Sequence, residues 1–138
     1  MTADLHKRFP ALATLEAAPF SALAGLKIEE AANGTAVVRM PFDARLLNYG
    51  APDVPIHGGA IATLADFAAC AAVWTMPETQ RSATISMTVN YTGPGIQSDL
   101  VAHAAVRRKG KRVASLTVEI RDHRDALIAD ALVTYKIS

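Results

Sequence analysis

The most apolar run of the chain is Ala60 to Trp74, broken by Asp66: Ala60, Ile61, Ala62, Leu64, Ala65 and then Phe67 through Trp74. Alanine dominance favours helix, and apolar side chains on every side of that helix require it to be buried. The run falls short of the roughly 20 residues that cross a bilayer, so its cover has to come from protein. A chain of 138 residues, 51% hydrophobic and 20% charged, has material for one domain with a real core and hardly for two. The same balance excludes disordered, collagenous and highly charged classes.

The cover is legible as strands. Asn33-Gly34 separates two alternating runs, Leu26–Ala31 and Thr35–Met40. This dipeptide favours the positive φ values of a type I′ turn, so the pair reads as a hairpin. Phe42 to Ile56, with Pro52, Pro55 and Gly50, reads as a loop. After the helix, Ile85, Met87, Val89 and Tyr91 alternate with Thr84, Ser86, Thr88 and Asn90. Three more runs follow, Asp99–Arg108, Arg112–Asp122 and Ala126–Ile137, joined by short turns. They read as long antiparallel strands. Ala11–Ala18 is helical and ends at Pro19. A helix apolar all round is covered on most sides only by a curved sheet wrapping it, so the fold class is α+β.

Lys and Arg total 14 and Asp and Glu total 13, a net charge of +1. A uniformly basic, polyanion-binding surface is excluded. The single cysteine, Cys70, allows no internal disulfide and reads as packed rather than reactive. Met1 to Pro10 carries Asp4, Lys7 and Arg8 and has no apolar core of a signal peptide. The expectation is a cytoplasmic protein with neither membrane nor nucleic-acid partners. His6, His57, His103 and His123 have no paired spacing, so neither a metal nor a cofactor is expected.

Asp66 is the anomaly. A carboxylate amid Leu64, Ala65, Phe67 and Ala68 is costly to bury unless its face meets a polar site. The competing reading leaves it at the helix surface. The helix start is the second signal. Gly58 and Gly59 let backbone N–H groups approach a ligand, at the positive end of the helix dipole. Such donors suit an anion, or a carbonyl oxygen gaining negative charge during acyl transfer. The plainer reading has His57 capping the helix and the glycines easing its entry. Gly58 and Asp66 are eight residues apart, roughly 12 Å along the axis. One carbonyl cannot touch both within one helix. If they cooperate, Asp66 comes from a second copy, and a twofold dimer makes two such sites.

At His57-Gly58-Gly59-Ala60-Ile61-Ala62-Thr63-Leu64-Ala65-Asp66 the chain resembles the hot-dog-fold acyl-CoA thioesterases of the PaaI-like type. This group acts on phenylacetyl-CoA and is akin to the 4-hydroxybenzoyl-CoA thioesterases. The element order fits too, over residues 20 to 137. The resemblance implies a single hot-dog domain over residues 1–138, with residues 1–19 as a helical extension. It also implies a homodimer, with pairs assembling into a homotetramer, and an acyl-CoA substrate. By resemblance, Asp66 is the catalytic carboxylate, nucleophile or general base. Gly58 polarises the thioester carbonyl through its N–H, and His57 supports the loop and the substrate sulfur. Asn48 matches a loop asparagine that orients the carbonyl or water, and Thr84 a Ser/Thr that positions the water. The Tyr49–Ile56 stretch is longer than in the family. Read without the resemblance, Asn48 is a turn residue and Thr84 an ordinary polar strand residue.

Arg107, Arg108, Lys109, Lys111 and Arg112 cluster at a hairpin tip. They suit the phosphates of coenzyme A, or else form a solvated tip that discourages edge pairing. A non-catalytic acyl-CoA binding module is the alternative function. A hydratase on the same fold, recruiting His57 and Asp66, is a third.

Overall fold

The computed structural model describes every residue except Met1 and Pro52. Three short helices, α1 (Thr2–Arg8), α2 (Pro10–Ala17) and α3 (Pro19–Ala24), precede a hairpin of β1 (Lys27–Ala32) and β2 (Thr35–Met40). A loop with one 3-10 turn at Ala44–Leu46 leads to the long helix α4 (Gly58–Val73). Four strands follow: β3 (Ser82–Tyr91), β4 (Leu100–Lys109), β5 (Val113–Arg121) and β6 (Leu127–Ile137). They form one six-stranded sheet in the order β1-β2-β4-β5-β6-β3, with every neighbouring pair antiparallel. β1 and β3 are its two edges.

The helix lies against all six strands, closest to β2 and β4. Ile61, Leu64, Ala65, Ala68 and Ala72 are almost wholly excluded from water. Each buried Leu or Ile contributes roughly 1.5–3 kcal/mol. Small residues on the facing strand, Ala102 and Ala104, let the sheet close around the helix. The expected wrapped helix is therefore present. One stripe of α4 is less covered: Gly59, Thr63, Asp66 and Cys70, spaced as successive turns on one face.

The Asn33-Gly34 turn has φ of 50° and 80°, the left-handed pair that a type I′ hairpin needs. It also docks on the end of α4. The Gly34 N–H donates to Thr75 Oγ1 at 2.7 Å, and the Thr75 hydroxyl donates to the Ala72 carbonyl at 2.7 Å.

Two expectations change. Pro19 ends α2 but also opens α3, because a proline fits the first helical turn, where its missing N–H has no partner to lose. The helical segment thus reaches Ala24, and α1 lies ahead of the expected helix. α1 and α2 pack on β1 and sink Leu5 and Leu12 into the core. Glu16 ties them down, accepting from the Ile28 N–H at 2.6 Å and lying 3.0 Å from His6 Nε2.

The second change is in β3. Its pairing with β6 shifts between Thr84 and Ser86, so Ile85 is an unpaired bulge residue, 56% exposed. Simple alternation puts Thr84 on the outer face with Ser86, Thr88 and Asn90. The bulge turns it inward, opposite Tyr135 and on the helix side with Met87 and Val89. Among the described residues, no helix is long and apolar enough to cross a membrane.

Gly34→Ala tests the docked turn. An added Cβ would lie 2.9 Å from Met76 Sδ and 3.3 Å from Val106 Cβ, at a φ that L residues rarely adopt. Folding stability should fall by about 1–3 kcal/mol in a urea titration. An unchanged midpoint would show that the turn carries no such weight.

Candidate active site

Asp66 sits two turns into α4, on the open stripe, half-buried. It faces polar partners rather than bare hydrocarbon, as its place in an apolar helix requires. Thr84 donates to Asp66 Oδ1 at 2.7 Å, from the residue that the β3 bulge turns inward. Tyr135 donates to the same Oδ1 at 2.7 Å, and its hydroxyl also lies 2.9 Å from the Asp66 carbonyl oxygen. Asp66 Oδ2 accepts no hydrogen bond from the described residues. Burial, with the nearby Cys70 and Asp66, holds the Tyr135 phenol far above its usual range, so it remains a proton donor.

These groups open onto a cavity of about 330 Å³, lined among others by Leu15, Phe20, Thr63, Phe67 and Cys70. Two of those residues, Leu15 and Phe20, come from α2 and α3. Cys70 lies 3.8 Å from Ser82 Oγ, and burial pushes its thiol up, which suits a packed cysteine better than a nucleophile. Trp74 Nε1 donates to the same Ser82 Oγ at 2.9 Å.

The helix start is built separately. His57 is the N-cap of α4, and its Nδ1 accepts the Gly59 N–H at 2.8 Å. That geometry places the proton of a neutral ring on Nε2. The Gly58 N–H has no partner among the described residues. Tyr91, at the far end of β3, donates to the Gly58 carbonyl at 2.8 Å, and its ring packs against the Gly58 Cα. β3 therefore touches α4 at Gly58 through Tyr91 and at Asp66 through Thr84. It holds the two groups apart within one chain.

Asn48 reaches the helix start through the loop's own pairing. The His57 N–H donates to the Leu46 carbonyl at 2.7 Å, Leu47 bridges Ile56, and the Asn48 N–H donates to Pro55 at 3.1 Å. The stretch before His57 folds back on itself and leaves Asn48 beside the helix entry, exposed. A second groove of about 500 Å³, lined by Phe42, Ala44, Leu47 and Gln97, lies along this loop. It shares no lining residue with the Asp66 cavity.

Arg107, Arg108, Lys109, Lys111 and Arg112 are all exposed at the β4–β5 tip. Lys109 pairs with Ala114, Ala114 with Tyr135, and Tyr135 with Thr84. The basic tip therefore lies at the end of the sheet that carries both partners of Asp66. No group of three or more His, Cys, Asp or Glu among the described residues is placed to hold a metal.

Tyr135 and Tyr91 are absent from the sequence-based set. Tyr135 is legible in retrospect. In the inner row Ala131, Val133, Tyr135 and Ile137, it is the one side chain with a hydroxyl, and a buried phenol requires a partner.

Comparison with known proteins identifies the family and the fold. The thioesterase superfamily profile matches residues 56–129, which include His57, Gly58, Asp66 and Thr84. A putative esterase of Halobacterium salinarum is 33% identical over 109 residues, 77% of this chain and 72% of its own length. The Escherichia coli medium/long-chain acyl-CoA thioesterase YigI is 27% identical over 133 residues, 86% of this chain and 85% of its own. The structure of the E. coli PaaI protein from the phenylacetic acid degradation operon superimposes with a TM-score of 0.81 at 28% identity. That match covers 96% of this chain and 94% of PaaI, so the wrapped helix is the hot-dog fold. The chain belongs to the thioesterase superfamily.

Proposed function

We propose that the chain hydrolyses acyl-CoA thioesters to the free acid and coenzyme A, at sites built between two copies of the chain. Membership of the superfamily makes it a thioester hydrolase. The observation that carries the finer reading is Asp66: a carboxylate on the open stripe of a largely apolar helix, presented to a cavity that Leu15, Phe20 and Phe67 also line. A pure binder of apolar tails gains nothing from that carboxylate, whereas acyl transfer needs a nucleophile or base at that position.

The chemistry needs a second group that one chain does not bring within reach. A thioester carbonyl facing Asp66 would take its hydrogen bond from the unpaired Gly58 N–H of another copy, whose helix dipole favours the developing oxyanion. In the nucleophilic form, Asp66 Oδ2 bonds to the carbonyl carbon and the CoA thiolate departs, leaving an anhydride that water cleaves. In the general-base form, Oδ2 takes a proton from the water that attacks the same carbon. A thiolate leaves readily in either case, which suits a site with no acid dedicated to the leaving group. Asn48 beside the helix entry would orient the carbonyl or water, and Thr84 would steady the carboxylate. His57 would support the donor loop.

Edge strand β3 suits the pairing of copies. It is ten residues long, its middle is exposed, and it contains no proline or lysine to block a second strand. The relatives point to the acyl-CoA class, because YigI acts on medium- and long-chain acyl-CoA by its description. The basic tip at Arg107–Arg112 would then receive the CoA phosphates.

Asp66→Ala should fold, because Tyr135 keeps the carbonyl of residue 66 as an acceptor. Thiol release should nevertheless drop by several orders of magnitude, and Asp66→Asn should behave alike. Full retained hydrolysis would sink the assignment. A panel of aryl, short, medium and long acyl-CoAs, read by free thiol, tests the substrate class. Saturable binding without thiol release from any member would favour the binding module.

The shared site has a sharper test. Gly58→Pro removes the N–H at the first helical position, where proline is tolerated, and His57 (φ −57°, ψ 134°) already has a pre-proline backbone. Each variant alone should be inactive. Co-expressed Gly58→Pro and Asp66→Ala chains should recover about a quarter of the wild-type rate, since half the random dimers carry one intact site of two. No recovery would overturn the shared site.

A further inference from the structure

We propose that Tyr135 is a positioning residue for Asp66, acting with Thr84 to pin Oδ1 so that Oδ2 alone faces the thioester. The inference rests on Asp66 being the catalytic carboxylate and goes beyond that assignment to the orientation of its oxygens.

The geometry is specific. Two hydroxyls from different strands, Thr84 on β3 and Tyr135 on β6, both donate to Oδ1 at 2.7 Å. The two strands pair with Thr84 opposite Tyr135, so a single rung of the sheet presents both donors. Tyr135 is 3% exposed, and its one proton has two acceptors, both on Asp66. The helix already pairs the Asp66 carbonyl with the N–H four residues on, so the phenol's proton serves the carboxylate better. A side chain with two donors on one oxygen cannot rotate about its terminal torsion without losing both. The unbonded Oδ2 is thereby the oxygen left for the cavity.

The other groups around Asp66 do not supply this effect. On its own helix the neighbouring titratable group is Cys70, kept as a thiol by burial. Ser82 on β3 is engaged by Trp74, and α2 and α3 bring Leu15, Phe20 and Ser21, none of them charged. In the proposed dimer, the second copy would bring His57 and Tyr91 beside its Gly58, and the substitutions below leave both in place.

Tyr135→Phe removes one oxygen from a buried ring, and Thr84→Val removes the other donor on an exposed strand. Two readouts apply: kcat and KM with octanoyl-CoA or phenylacetyl-CoA, whichever is turned over, and rescue by the conservative Thr84→Ser. In Tyr135→Phe and in Thr84→Val, kcat should fall about tenfold with KM little changed. Thr84→Ser keeps the hydroxyl donor and should restore the wild-type kcat. A purely structural role would disturb KM along with kcat. An unchanged kcat in Tyr135→Phe overturns the proposal. If that variant does not fold, an unchanged kcat in Thr84→Val overturns it equally. Full activity of Asp66→Ala would instead overturn the catalytic assignment.

Discussion

A helix with almost no polar side can be kept from water only by a surface that bends around it, and this constraint organises the molecule. All six strands touch α4, and the inner rows of the sheet hold small residues where the approach is closest. Wrapping is incomplete because a sheet has two edges. What it leaves open is a single stripe of the helix, where Gly59, Thr63, Asp66 and Cys70 follow one another. Leu15 of α2 and Phe20 of α3 flank that stripe without closing over it. A polar group there meets a cavity rather than bulk water or solid core, which is the environment in which a carboxylate can be both reactive and tolerated.

Much of this is legible in the sequence because it depends on local pattern. The buried helix follows from Ala60–Trp74, the hairpin from Asn33-Gly34, and the late strands from runs with a period of two. Asp66 stands out because a charge contradicts its surroundings. The part that stays hidden depends on registers and partners, which no window of the sequence contains. Thr84 is an instance: strict alternation assigns it to the outer face, and one extra residue at Ile85 reverses that. Tyr135 is another, since its partner lies 69 positions earlier in the chain. Pro19 misleads differently, because a residue that ends one helix is also well suited to begin the next.

The two halves of the candidate site are held by different means. At the helix start, His57 occupies the Gly59 N–H, Tyr91 fixes the Gly58 carbonyl, and one N–H is left without a partner. Two turns on, hydroxyls occupy one oxygen of Asp66 and leave the other. In each half, support is given to every group except the one that would meet substrate. β3 takes part in both through Tyr91 and Thr84, so the strand at the edge of the sheet also sets the spacing of the two halves.

The attachment of the N-terminal helices has a consequence for how such a cavity can diversify. Leu15 and Phe20 form part of its wall, yet α2 and α3 belong to neither the sheet nor the central helix. They are fastened by buried Leu12 and by the Glu16 carboxylate on the backbone of Ile28. The wall and the floor that carries Asp66 are thus separate parts joined at a few points. Sequence drift in Pro19–Ala24 can widen, narrow or reshape the cavity while the register that places Thr84, Tyr135 and Asp66 stays as it is. A scaffold divided in this way can remodel the mouth of its cavity without disturbing the hydrogen bonds at its base.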